Sequence, residues 1–529
     1  MSIQNIYYYQ ALVSHDSRFD GHFFVGVSST GIYCRPVCRV RTPKIENCSF
    51  YTSAALAEAA GFRPCLKCRP ELSPQIAQHV NDQNLILSAI TQLEDLGHTD
   101  FSIAELSRHL HISTRHLSRM ALAQFGTTPS NIILTRRLLR AKQLLTETHL
   151  PIIHVAYISG FSSLRTFNMH FKNRYQSAPS SLRKRADITE ANTTRIDTTR
   201  INTKSRASTT SPAKPIKLML QYRPPYNWQQ LIEFLEQRTV RGVEYVEEQT
   251  YSRTVNLTVN EKNYQGWLQV QLHLTKANTL AIELSESLSD IIPIVLRKLE
   301  HQFDLHAEPA LIAKQLGKLV NNNQGIRLPG SFDGFEMAVR AILGQQITVK
   351  AAHTLAGRFA EAFGTRIHTT HRALTTLFPS AEVASTLSID QIASLGIISK
   401  RAHTIIILAE KISKSEIVLQ PSASPDITIN TLTQIPGIGP WTAHYIAMRA
   451  LHWPDAFPHT DLGIMKALQE RRPKKLLALA EKWRPWRAYA VMHLWHSLRE
   501  PWNNSPINIT NQPLENTVTS ISTQCKEQS

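Results

Sequence analysis

Apolar positions recur along the chain with different rhythms in different stretches. In residues 1–80 the run FFVGV, Phe23 to Val27, reads as a strand, and Ser53 to Ala60 carries a helical pattern. Over residues 81–186 the spacing is helical throughout. IAELSRHL, a turn near Ile112 and Ser113, and TRHLSRMALAQF form one helix-turn-helix pattern; IIHVAYISG, with Gly160 at the turn, and SLRTFNMHFKNRYQ form a second. The long segment ILTRRLLRAKQLL joins them. Residues 216–305 mix the strand-like segments VEYVEE, YSRTVNLTV, GWLQVQLHL and TLAIELS with helices at Trp228 to Gln237 and Ile291 to Gln302. That mixture predicts a curved antiparallel sheet with helices on one side. Residues 306–502 return to an almost entirely helical pattern.

The rhythm fails in two places. Residues 187–215 are dominated by Thr, Ser and Asn, with TTRID followed directly by TTRIN, and such composition cannot bury a core. This stretch reads as a flexible basic linker dividing the chain into halves, and residues 503–529 as a disordered tail. The expected fold class is therefore multidomain α+β. Its parts are a small cysteine-bearing α/β domain, an all-α tandem helix-turn-helix domain, a lobe of antiparallel sheet plus helices, and an all-α domain.

Composition narrows the partners. The chain has 529 residues, too many for one ordinary domain, and its 42% hydrophobic and 19% charged content supports conventional cores. No apolar run approaches the roughly 18 residues of a membrane span, so a cytoplasmic protein with no membrane partner is expected. Lys and Arg number 58 against 41 Asp and Glu, a net +17, which favours a polyanion such as nucleic acid. Arg115, Arg119, Arg165 and Lys172 fall on the second helices of the two helix-turn-helix patterns, where they would face DNA.

Of six cysteines, four crowd together as Cys34-Arg-Pro-Val-Cys38 and Cys65-Leu-Lys-Cys68. Two close pairs of thiolates are the ligand set of one tetrahedral zinc ion, Zn2+. On spacing alone the simpler reading is a closed, inert structural site. The flanking residues change that. TGIYCRPVCRVR, ENCSFY and AAGFRPCLKCRP closely resemble the N-terminal domain of the bacterial Ada proteins of the alkylation response. The resemblance implies that Cys34 is both zinc ligand and acceptor of a methyl group from a DNA methylphosphotriester, with Cys38, Cys65 and Cys68 as the other ligands. It also implies backbone contacts to DNA from Thr30, Arg39, Arg41 and Arg63. Four thiolates give the zinc complex a formal charge of −2, and methylation reduces it to −1, which lessens repulsion from phosphates.

Residues 81–186, through GFSSLRTFNMHFKNRYQSAPSSLRKR, resemble the DNA-binding domain of AraC/XylS regulators. That implies recognition helices near Thr114 to Phe125 and Leu164 to Tyr175 in successive major grooves. Further on, LTQIPGIGPWTAHYIAMRA places Gly437 and Gly439 around one apolar residue between helical segments, a hairpin able to offer backbone N–H groups to a phosphate. With RLPGSFDGFEMAVRAILGQQIT and KWRPWRAYAVMHLW, this part resembles the helix-hairpin-helix glycosylases of the 3-methyladenine DNA glycosylase II, or AlkA, type. The resemblance implies Asp461 as the catalytic carboxylate, an aromatic cleft of Trp441, Tyr445 and Trp495, and Gln346 in the gap left by a flipped base. Trp441 stands where the lyases of this superfamily carry a lysine, so Schiff-base chemistry is not expected. Gln346 and His496 depart from the better-known relative, which has an apolar wedge and a tyrosine there. For Asp461 a plain helix-capping role is the alternative.

Taken together the resemblances imply a fusion of a methyl-acceptor regulator with a monofunctional hydrolase. Its partners would be double-stranded DNA, both damaged and operator, and RNA polymerase, in a bacterial cytoplasm on the nucleoid. No cysteine lies between Cys68 and Cys525, so removal of O6-methyl from guanine by a second acceptor is not expected. The rival reading is a zinc-containing transcription factor whose C-terminal half binds DNA without catalysis. Only the chemistry of Cys34 and Asp461 separates the two.

Overall fold

The computed structural model describes residues 3–74, 85–95, 97, 100–183, 214–320 and 323–498. Most of the stretch read as a linker and all of the stretch read as a tail lie outside the described residues. The N-terminal unit is built on a four-stranded sheet of β1 (Phe24–Val27), β2 (Ile32–Cys34), β3 (Cys48–Tyr51) and β4 (Arg63–Pro64), in the order β3-β1-β2-β4. β2 and β4 run parallel, with Tyr33 beside Pro64, so Cys34 and Cys65 leave the sheet at the same end. The Cys65 N–H donates to the Tyr33 carbonyl at 3.0 Å and fixes that register.

The regulator-like unit is helical among its described residues, and its helices start where short polar side chains satisfy free N–H groups. Ser102 and Glu105 form a capping box on Ile103–His109, Ser113 caps Thr114–Phe125, and Ser163 caps Leu164–Tyr175. Between the two helix-turn-helix pairs runs the helix Pro129–Glu147, which packs on the first unit and, through Gln143 Nε2 donating to the Met219 carbonyl at 3.0 Å, on the sheet lobe. Its Arg136 and Arg140 each bind Glu94 at 2.8 Å, its Thr135 donates to Glu58 of the first unit at 2.8 Å, and its Lys142 pairs with buried Glu71. Glu58 also meets Arg174 at 2.9 Å and accepts from the Tyr33 hydroxyl at 3.0 Å. Burial pushes the Glu58 carboxyl from its ordinary 4.5 up to about 7, even though Arg174 opposes the rise.

The sheet lobe has five antiparallel strands: β5 (Ile216–Gln221), β6 (Glu244–Glu247), β7 (Thr250–Val259), β8 (Lys262–Leu272) and β9 (Thr279–Leu284), in the order β5-β9-β8-β7-β6. β5 was not foreseen, although Ile216, Leu218 and Leu220 alternate inward. The second helix-turn-helix pair, the sheet lobe and the C-terminal helix Arg487–Ser497 share one continuous hydrophobic core. A second core holds Gly334–Leu343, Ser399–Ser413 and the hairpin helices Pro425–Thr433 and Pro440–Arg449. The almost entirely helical part also contains one small strand pair, Thr365–Arg366 with Thr376–Leu377, too short to leave a periodic signal. No helix among the described residues is long and apolar enough to cross a membrane.

Candidate functional sites: a four-sulfur centre and an aspartate-bearing cleft

The parallel register of β2 and β4 brings Cys34, Cys38, Cys65 and Cys68 together, with their sulfur atoms all within 4.8 Å of one another. Zinc–sulfur bonds of about 2.3 Å in a tetrahedron require sulfurs about 3.8 Å apart, so the cluster fits that ion in number, donor type and spacing. Hydrogen bonding among the sulfurs sets their proton affinities against each other. Cys34 is pushed up by Cys38 and Cys68 by Cys34, while Cys38 and Cys65 are pulled down, each chiefly by Cys34. Four sulfurs at this spacing cannot all be negative without a cation among them.

Cys34 is 6% exposed and Cys68 is the more open residue, so accessibility does not single out the acceptor. In the same unit Thr30, Arg39 and Arg41 are exposed and Arg63 is half-buried on β4. Arg115, Arg119, Arg165 and Lys172 are likewise exposed on Thr114–Phe125 and Leu164–Tyr175.

In the C-terminal half the hairpin takes the expected form. Gly437 has φ +94°, and a Cβ there would stand 2.2 Å from Thr404 Oγ1, so the turn tolerates only glycine. Gly439 is the N-cap of Pro440–Arg449 and has open space on its Cα. A phosphate can therefore approach the unpaired N–H groups at that helix start.

Trp441 and Tyr445 stand on that helix, stacked with centroids 5.3 Å apart and planes 5° from parallel. Asp461 caps Leu462–Leu468, its Oδ1 accepting the Ile464 N–H at 3.0 Å. The capping role is real, yet it uses only part of the carboxylate. Trp495 Nε1 donates to Oδ1 at 2.9 Å and Trp441 Nε1 to Oδ2 at 3.0 Å. Three donors from three elements thus fix the carboxylate against a cavity of about 320 Å³, which Trp441, Tyr445, Asp461 and Trp495 line. Tyr445 borders the second core and Trp495 the first, so the cleft lies where the two cores meet.

Several neighbours escaped sequence reading. Phe234, on the sheet-lobe helix Trp228–Glu236, lies nearly parallel to Trp495 with centroids 6.4 Å apart. Arg449 donates to the Tyr445 hydroxyl at 3.0 Å. Burial alone would raise the Tyr445 phenol, but Arg449, Arg238 and Arg340 bring it below its usual value. Gln345 Nε2 donates to the Gly437 carbonyl and to Thr442 Oγ1, tying the hairpin to the loop that presents Gln346. Gln346 is exposed with φ +54°, a left-handed conformation that a non-glycine residue adopts at some cost. Its neighbour Gln345 was within sight in ILGQQIT, whereas Phe234 had no local signal.

Family models match the chain in four consecutive stretches: the metal binding domain of Ada over residues 7–71, a helix-turn-helix domain over 106–185, the AlkA N-terminal domain over 217–333, and the HhH-GPD superfamily base excision DNA repair protein over 339–481. A Mycobacterium tuberculosis protein named "Probable bifunctional transcriptional activator/DNA repair enzyme AlkA" is 33% identical over 510 residues, covering 94% of this chain and 97% of its own length. DNA-3-methyladenine glycosylase 2 of Escherichia coli is 34% identical over 283 residues, 54% of this chain and 97% of the relative. The Escherichia coli bifunctional transcriptional activator/DNA repair enzyme Ada is 40% identical over 121 residues, 23% of this chain and 33% of the relative.

Proposed function

The chain belongs to the family of bifunctional transcriptional activator/DNA repair enzymes of the AlkA type, and from that premise we propose which residues act and on what. Cys34 accepts a methyl group from a DNA methylphosphotriester, and Asp461 serves hydrolytic release of alkylated bases of the 3-methyladenine and 7-methylguanine type. The observation that carries the reading is the grip of two indoles and a helix N–H on Asp461 at an aromatic cavity, in the same chain as the four-sulfur cluster.

Cys34, Cys38, Cys65 and Cys68 would hold zinc, which keeps sulfurs deprotonated and nucleophilic where their crowding opposes it. In the transfer the Cys34 sulfur bonds to the methyl carbon as that carbon's bond to the phosphate oxygen breaks, and a phosphodiester anion leaves. The product thioether has no ready leaving path, so the step occurs once per chain. It also removes one sulfur charge from the unit whose Thr30, Arg39, Arg41 and Arg63 would contact the DNA backbone, which strengthens attraction to DNA. The recognition helices then hold the operator, and RNA polymerase is the partner this reading implies. The site of action is the nucleoid in the cytoplasm.

In the other half, the N–H groups of Gly437 and Gly439 hold the backbone while Gln346 fills the gap of the extruded nucleotide. The electron-rich faces of Trp441, Tyr445 and Trp495 favour an electron-poor, cationic base. As the bond between the base and the sugar C1′ breaks, its electrons pass to the base and positive charge grows on the sugar. The Asp461 carboxylate stabilises that charge and orients a water molecule, whose oxygen joins C1′ and whose proton goes to solvent.

The test of the first half is direct. After incubation with methylphosphotriester DNA, peptide mass spectrometry should find one added methyl on Cys34 and none on the Cys34→Ala variant. A methyl on Cys38, Cys65 or Cys68 in the wild-type protein would overturn the assignment.

A further inference from the structure

Arg35, the residue after Cys34, is 3% exposed and sits at a junction of the two halves. Its guanidinium clasps Asp20, with Nε to Oδ1 at 2.8 Å and Nη2 to Oδ2. Its backbone N–H donates to Cys68 Sγ at 3.4 Å, and its Nη1 donates to the Cys68 carbonyl at 3.0 Å. Arg35 therefore ties the Cys34–Cys38 loop to the Cys65–Cys68 loop. The same Nη1 reaches Gln221 Oε1 at 2.5 Å, at the end of β5 in the sheet lobe.

The lobe also grips Asp20. Arg223 Nε donates to the Asp20 carbonyl at 3.0 Å and its Nη2 to the Pro74 carbonyl at 2.9 Å, while Glu308 stands 3.3 Å from its Nη1. Gly21 makes room for this approach. With φ +86°, it leaves free the space where a Cβ would come 2.9 Å from Arg223 Nη2 and 2.0 Å from the Pro74 carbonyl. Asp20, Arg35 and Arg223 are all buried, so their polar atoms depend on one another for partners.

We propose that Arg35 is a positioning residue shared by the two halves: with Asp20 it sets the geometry of the four sulfurs, and Gln221 and Arg223 of the glycosylase lobe hold it in place. The docked lobe thereby tightens the metal site. By reciprocity of linked equilibria, the assembled metal site holds the lobe. Neither half is then an independent unit. The proposal rests on the reading of the four sulfurs as a zinc site, which zinc content of the wild-type protein checks by itself.

The experiment uses the full chain loaded with zinc, a chromogenic chelator, and amide hydrogen exchange. Gln221→Ala, two domains away from the sulfurs in sequence, should release zinc about 5-fold or more faster than wild type, the lower end of ordinary coupling between sites. Gln221→Glu, which keeps an acceptor for Arg35, should release it no faster than wild type. Stripping zinc from the wild-type protein should speed exchange along β5. Zinc release from Gln221→Ala at the wild-type rate, or exchange along β5 indifferent to zinc, overturns the proposal. Wild-type protein that binds no zinc would instead overturn the reading on which it rests.

Discussion

The four-sulfur centre and the Asp461 cleft place their reactive atoms by opposite means. At the first, every ligand lies between residues 34 and 68, and two adjacent strand ends plus two short loops suffice to gather them. At the second, Asp461, Trp441 and Trp495 come from three separate elements, Phe234 from another lobe, and the cavity opens between two hydrophobic cores. The difference matches the chemistry proposed for each. A sulfur that keeps the methyl group needs no product exit, so a compact, nearly closed knot is enough. A carboxylate that acts repeatedly must stay fixed while bases enter and leave, and rigid elements around an open cavity provide that.

The sharpest way to break this contrast is Asp461→Asn. Asparagine keeps the cap on Leu462–Leu468 and removes the charge, so base release should fall on the order of 100-fold or more while DNA binding persists. Single-turnover release of 3-methyladenine checks it, and a wild-type rate would reduce Asp461 to a cap. Trp495→Phe tests the grip itself. The ring remains but the indole donor to Oδ1 is lost, and a hydrogen bond to a charged group is worth enough to lower the rate about 10-fold. An unchanged rate would mean that Trp495 serves only as a wall.

The smallest effect belongs to the region joining the first unit to the helices Pro129–Glu147 and Leu164–Tyr175. Glu58 has its carboxyl raised from 4.5 to about 7 in the folded protein, chiefly by burial. Folding therefore favours its protonated form, and the stability this contributes is complete below pH 4.5 and lost as pH rises through 7. The melting temperature should fall more between pH 5 and pH 8 for wild type than for Glu58→Gln. Parallel curves would show that Glu58 does not titrate in this range.

What was legible in the sequence follows the same contrast. Cys34, Cys38, Cys65 and Cys68 announce themselves by spacing because their contacts are local. The cleft was legible only where residues are anchored to a local pattern, as Trp441 and Tyr445 are to the hairpin and Asp461 is to the helix it caps. Phe234 meets Trp495 there through tertiary packing, which leaves no period in the chain, whereas Arg449, one helical turn after Tyr445, stood within local reach. β5 was missed because its short alternation follows directly on a polar stretch that reads as linker. The junction of Arg35 with Gln221 had no signal at all, since a buried polar contact between distant segments needs only one matching atom on each side. The polar stretch that reads as a linker thus gave no hint that the segments on either side of it are packed together.

One chain is expected to perform one methyl transfer and many base excisions. This expectation is tested most directly by counting both products from a single preparation on DNA carrying methylphosphotriesters and 3-methyladenine. Methyl uptake should stop at one per chain while released base continues to accumulate well beyond one per chain. Base release that also stops at one per chain, or methyl uptake that stays at zero, would contradict it.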